Sequence, residues 1–370
     1  MTDTVVVALL TRRTVRRASR IDMLDTPYAD ELVATAKALS APGKGVLAAD
    51  ESTGTIGKRL ASIGCDNTLE LRVALRSLLF TAPGMEDYIS GVITYDETLR
   101  GTALSGKTFV QELASRGVLA GIKVDAGVVA LPASPEETTT CGLDGLDARC
   151  KEYYALGARF AKWRGVLTIN SAKGYPSALA TTENANALAR YASICQHNGL
   201  VPIVEPEILM DGEHDVETCR AVTVRVLDAV FAALRLHGVR LDGMILKPNM
   251  VTPGSGRKGG DDHGLDCFYR HARGAIETLK ALRDVVPPSV PGILFLSGGQ
   301  TEDEATERLR IMVEFAGGDR VPWTLSYSYG RALQASCLKT WQGKDANVAA
   351  AQQAFIARAK ANSLASLGRK

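Results

Sequence analysis

Five apolar segments of this chain end in charge. Val46-Leu47-Ala48-Ala49 runs into Asp50, and Gly121-Ile122 meets Lys123 with Asp125 just beyond. Phe160-Ala161 meets Lys162, followed by Trp163 and Arg164. Val201-Pro202-Ile203-Val204 ends in Glu205-Pro206-Glu207, and Met244-Ile245-Leu246 ends in Lys247-Pro248-Asn249. An ionised side chain in so apolar a run is costly unless it is paired or put to use. One such lysine is ordinarily a snorkelling surface side chain; five strand ends of this kind form a pattern. A lysine amine is a nucleophile only when neutral, and desolvation or a neighbouring cation moves its pKa toward neutrality. Carboxylates nearby can shuttle protons once the amine has added to a carbonyl. Three lysines among acids therefore point to imine chemistry on a ketone or aldehyde. The alternative for the same residues is a structural ion-pair network.

Two further segments could hold anions. Leu294-Phe295-Leu296 ends in Ser297-Gly298-Gly299, and Leu325-Ser326-Tyr327-Ser328-Tyr329 ends in Gly330-Arg331. Glycines let backbone N–H groups approach an oxyanion, while Ser and Arg supply more donors. Near the first apolar run, Asp50-Glu51-Ser52-Thr53-Gly54-Thr55 offers hydroxyls, and Lys58 and Arg59 follow. Anion sites at two places beside a nucleophilic lysine would suit a bisphosphorylated sugar. A short SGG string alone is common and carries little weight.

The elements that must position these groups repeat one theme, a short apolar strand followed by an amphipathic helix. The expected strands are Val46–Asp50, Ile89–Tyr95, Leu119–Asp125, Arg159–Leu167, Val201–Ile208, Met244–Val251, Ile293–Gly298 and Trp323–Tyr329. Near-continuous apolar runs suit strands covered on both faces. Between them, Val216, Cys219, Val222, Val226, Val230 and Ala233 share one helical face behind an Asp215 cap. Thr301 and Glu304 have the spacing of a capping box. Leu188, Tyr191, Ala192 and Cys195 form a stripe ended by Gly199, and Leu32, Val33, Ala36 and Leu39 form another before the first strand. Strands alternating with helices imply a parallel sheet. Eight of them without a clear linker predict a single α/β domain, the (β/α)8 TIM barrel, whose strand ends converge on one mouth. The most loop-like segment is Pro253–Gly264.

Composition agrees with this class. The 370 residues are 46% hydrophobic and 23% charged, and the formal net charge of +2 gives no reason to expect nucleic acid or membrane as partner. No apolar run approaches the roughly 20 residues of a membrane span. The seven cysteines are scattered without a CxxC, and the five histidines lack HxxxH or HExxH spacing, so neither a disulfide framework nor a metal site is expected. Residues 1–25 read as a basic arm, with Arg12, Arg13, Arg16, Arg17 and Arg20 after an apolar stretch too short for a secretory signal. A solvated arm on a cytoplasmic protein is the simpler reading, and an organelle presequence the alternative. The barrel is expected over residues 26–370.

The chain closely resembles the eukaryotic-type class I fructose-1,6-bisphosphate aldolases. The matching segments are APGKGVLAADESTGTIGKR (Ala41–Arg59), YISGVI (Tyr88–Ile93), GIKVD (Gly121–Asp125), GARFAKWR (Gly157–Arg164), LVPIVEPEIL (Leu200–Leu209), LKPNMVTPG (Leu246–Gly254), FLSGGQ (Phe295–Gln300) and SYGRALQAS (Ser328–Ser336). The resemblance implies a TIM barrel, reversible cleavage of fructose 1,6-bisphosphate through a lysine Schiff base, no cofactor and no metal. It makes Lys247 the Schiff-base lysine, Glu205 the general acid/base and Glu207 a supporting acid. Lys162 and Asp50 would orient and protonate intermediates at the ketose carbonyl. One phosphate would fall to Ser297, Gly298, Gly299, Ser328, Gly330 and Arg331, and the other to Ser52, Thr55 and Lys123. Arg59, Arg72 and Arg164 would add positive charge near the substrate. A homotetramer and cytoskeletal binding are the partners it implies; a catalytically weak scaffold or another Schiff-base aldolase are the alternative functions. The family usually carries a C-terminal tail ending in Tyr that assists enamine protonation. The sequence closes on Ala359–Gly368, Arg369 and Lys370, and its last tyrosine is Tyr329, so slow protonation of the enamine is expected.

Overall fold

The computed structural model describes residues 23–257, 267–318 and 321–370. In chain order its elements are α1 (Ala29–Leu39), β1 (Gly45–Ala49), α2 (Thr53–Ala61), α3 (Leu69–Phe80), β2 (Ile89–Thr94), α4 (Asp96–Arg100), α5 (Phe109–Ala114), β3 (Leu119–Lys123), β4 (Val128–Leu131) and β5 (Ser134–Thr140). There follow α6 (Leu146–Ala155), β6 (Phe160–Leu167), α7 (Ala178–His197), β7 (Val201–Ile208), α8 (Val216–Leu236), β8 (Ile245–Leu246), α9 (Cys267–Val285), β9 (Gly292–Phe295), α10 (Glu302–Gly318), β10 (Thr324–Tyr329), α11 (Arg331–Trp341) and α12 (Val348–Ala365). Eight parallel strands close a barrel in the order β1-β2-β3-β6-β7-β8-β9-β10, with β10 pairing back onto β1. All eight expected strands are present. The sixth is far shorter than the Met244–Val251 run suggests, because Pro248 has no N–H to donate to a ladder. The antiparallel β4–β5 pair, which the sequence pattern did not predict, stands apart from the barrel sheet.

Alternation along each strand divides the apolar residues into two cores. Val46, Ala48, Ile93, Phe160, Val201, Ile203, Ile245 and Leu294 fill the barrel interior. Residues between them, such as Leu47, Val92, Ala161 and Val204, pack outward against the helices. Helix α1 closes the lower end: Leu32, Ala36 and Leu39 join the interior cluster, and Leu39 O accepts a bond from Ser90 Oγ at the start of β2, at 2.8 Å. Interior volume explains one glycine. A Cβ on Gly121 would stand 2.2 Å from the ring of the fully buried Phe160, so β3 must have no side chain there for that ring to fill the barrel.

The helical stripes also form as the sequence predicts. Asp215 caps α8 by accepting from Thr218 N at 2.8 Å. Thr301 N donates to Glu304 Oε2 at 2.9 Å and Glu304 N to Thr301 Oγ1 at 3.2 Å, the reciprocal pair of a capping box. The arginines at 12–20 and most of the glycine-rich loop at 253–264 lie outside the described residues.

Candidate active site

The same alternation that fills the barrel carries the charges upward. Two residues beyond interior Ala48 is Asp50, and two beyond Gly121 is Lys123. Lys162 and then Arg164 follow Phe160. Glu205 and then Glu207 follow Ile203, and Lys247 follows Ile245. All of these line one cavity of about 460 Å³ at the C-terminal ends of the strands. The layer beneath them is apolar and buried, so ionic groups this close must satisfy one another.

They do so through a compact network. Lys162 Nζ lies 2.8 Å from Asp50 Oδ2, 3.6 Å from Glu205 Oε2 and 4.0 Å from Asp125 Oδ2. Lys247 Nζ lies 3.3 Å from the other Glu205 oxygen, Oε1. Lys123 pairs with Asp125 Oδ1 at 2.6 Å, and Arg164 with Glu207 Oε2 at 2.8 Å. Burial alone would raise the Asp50 pKa, but Lys162 and Lys247 outweigh it and hold that carboxyl well below the usual carboxylate range. Burial likewise opposes the charge on Lys162, yet Asp50, Glu205 and Asp125 hold it above the ordinary lysine value. Glu207 behaves differently. Burial pushes its pKa up against the pull of Arg164. The site thus pairs a firmly cationic Lys162 and a firmly anionic Asp50 with Glu207, an acid that holds its proton more readily. Lys162 is accordingly the fixed cation of the set, and Lys247, only 3% exposed, is the lysine beside it that contacts the same carboxylate.

The rim is built from helix starts. Helix α2 begins after Ser52 and helix α11 after Gly330, and neither has a side-chain cap on its first amides. Such an end attracts anions through its free N–H groups and the helix dipole. Ser52 and Thr55 share a hydroxyl contact of 3.1 Å there. Ser297, Gly298, Ser328, Gly330, Arg331 and Arg59 line the same cavity. The buried Ser328 Oγ has no hydrogen-bond partner among the described residues. Because β1 pairs with β10, the hydroxyls of one expected phosphate group lie beside the Gly330–Arg331 end of the other, while Lys123 stands two strands further round.

Two expected residues are not brought to the mouth. Gly299 makes the turn after β9 at φ 74° and packs toward Met210 rather than lining the cavity. Arg72 is held on α3 by Glu97, with Nε to Oε1 at 2.8 Å and Nη2 to Oε2 at 2.7 Å, and it faces a separate hollow. A bidentate pair with Glu97 takes up its charge in this structure. Glu51, Tyr95 and Asp125 line the mouth without having been assigned there. For Glu51 and Asp125 a signal existed, since both are acids at the ends of buried strands.

A buried amine against a carboxylate, a fixed cation–anion pair and an anion-binding rim together can form and cleave an imine on a phosphorylated carbonyl compound. Comparison with known proteins points the same way. A family model described as fructose-bisphosphate aldolase class-I matches residues 31–370. The chain is 56% identical to cytosolic fructose-bisphosphate aldolase 4 of Arabidopsis thaliana over 91% of its own length and 83% of the relative's. It is 53% identical to the fructose-bisphosphate aldolase of Dictyostelium discoideum over 94% of each. A crystal structure of the Plasmodium falciparum fructose-bisphosphate aldolase, in complex with TRAP and a small-molecule inhibitor, superposes with a TM-score of 0.90 at 49% identity, covering 95% of this chain and 99% of that one.

Proposed function

This chain belongs to the class I fructose-bisphosphate aldolases, and from that premise we propose how its residues divide the retro-aldol cleavage of fructose 1,6-bisphosphate. Lys247 attacks the C2 ketone, and loss of water leaves a protonated imine. The imine draws electrons from the C3–C4 bond as Glu205 takes the C4 hydroxyl proton, and glyceraldehyde 3-phosphate departs. Reprotonation of the enamine and hydrolysis then release dihydroxyacetone phosphate. Lys162 and Asp50 hold a fixed charge pair at the carbonyl, and Glu207 serves as a proton reserve behind Glu205. The rim residues Ser52, Thr55, Lys123, Arg59, Ser297, Gly298, Ser328, Gly330 and Arg331 hold the phosphates. Like the cytosolic relatives, the protein works in the cytosol, and we read it as a homotetramer.

The observation that carries this reading is the buried Lys247 amine 3.3 Å from Glu205 at the foot of an anion-binding mouth. Borohydride reduction in the presence of dihydroxyacetone phosphate tests it. We expect one covalent adduct, on Lys247, lost in Lys247→Arg. Trapping of that variant at wild-type stoichiometry would move the nucleophile elsewhere.

A further inference from the structure

The rim arginine Arg59 does not stand alone. Its Nη1 contacts Glu51 Oε1, and the second oxygen of that carboxylate, Oε2, accepts from Arg76 Nη2 at 2.6 Å. Glu51 and Arg76 side chains are each only 4% exposed, whereas the Arg59 side chain is 20% exposed and opens onto the mouth. Arg76 is absent from the mouth lining and lies behind it on α3, over the hollow shared with Arg72 and Glu97. Among the described residues its Nη1 is buried without a hydrogen-bond partner, and Glu51 is the carboxylate that its Nη2 contacts. Gln334 Nε2 fixes the other side of the carboxylate, donating to Ala48 O at 2.8 Å and to Glu51 Oε1 at 3.3 Å. The far end of Arg59 reaches the second anion-binding helix start. A Cβ on Gly330 would stand 3.5 Å from Arg59 Nη2.

One carboxylate between two guanidiniums neutralises neither fully. We propose that Arg76 is a positioning residue for phosphate recognition, acting through Glu51 on Arg59. By competing for Glu51, Arg76 leaves positive charge on Arg59, and by anchoring Glu51 Oε2 it keeps the other oxygen turned so that Arg59 spans from α2 to Gly330. Without Arg76, Glu51 pairs with Arg59 alone, quenches its charge and draws it back from the rim. The inference rests on the aldolase reading above, since a phosphate at this rim is part of that reading.

The test is a double-mutant cycle in the intact enzyme, read by kcat and KM for fructose 1,6-bisphosphate. We expect Arg76→Met to raise KM about tenfold, the scale of a charge-assisted contact, with kcat and Lys247 trapping retained. Arg76→Lys, which keeps a charge on Glu51, should recover most of the loss. In an Arg59→Ala background, Arg76→Met should change KM no further. Additive effects of the two substitutions, or a loss confined to kcat, would overturn the proposal. If Arg76→Met does not fold, the polar Arg76→Gln, which also removes the competing charge from Glu51, should raise KM in the same way, and an unchanged KM there would overturn the proposal equally. Failure of the aldolase reading itself would show separately, as absent cleavage and absent trapping in the unaltered protein.

Discussion

At the scale of single residues, the ionic site sets the protein's response to pH through groups of opposite sign. The Asp50 carboxyl is depressed in the folded state, so it contributes stability that is present above its ordinary value of 3.8 and is lost as pH falls below it. Glu207 is raised above its ordinary 4.5, so the folded state holds its proton longer than the unfolded chain does. Its contribution therefore declines as pH climbs from that ordinary value through its own higher one. Urea titrations in steps from acid to neutral pH should show stability first rising and then easing off. Glu207→Gln should abolish the second phase and leave the first. If the decline persists in that variant, its origin lies in another group. The sequence made the inward acids and lysines legible because charges interrupt apolar runs at the same height on five strands. It could not separate Arg72 from Arg76. The two are one helical turn apart on α3, and only the fold shows that Glu97 claims the first and Glu51 the second.

At the scale of elements, the barrel depends on small positions facing large ones. Gly121→Ala would drive a methyl into Phe160, and overpacking of that kind costs about 1–3 kcal/mol. Shortening the partner in Gly121→Ala/Phe160→Leu should return part of that loss, measured by denaturant unfolding. Strict additivity would mean that the strain is relieved elsewhere. Strands were the most readable elements because burial on both faces demands unbroken apolar runs, and all eight announced themselves. The β4–β5 hairpin was silent for the converse reason. Val128 and Val129 are exposed, and the residues that β5 buries are the polar Glu137 and Thr140, so the pair leaves no apolar alternation to read. Its first residue nevertheless reaches the rim of the mouth.

At the scale of the molecule, the homotetramer we propose should sediment at about four times the 39.4 kDa chain mass at micromolar concentration; a single monomeric boundary would refute it. Division of labour within the barrel has a separate consequence, readable in deuterium uptake. Glu205 and Glu207 sit on β7, whose eight residues are all buried and pair along their whole length with β6, Ile203 and Val204 pairing with β8 as well, whereas Ser52 and Thr55 sit at the more open start of α2. Amide hydrogens of β7 should exchange only through events that dismantle the whole barrel, and those at the start of α2 through local fraying. Glu205 and Glu207 then cannot drift out of register in any partly open state. The phosphate grip at Ser52 and Thr55 can loosen and reset between turnovers while the chemistry beneath it stays assembled.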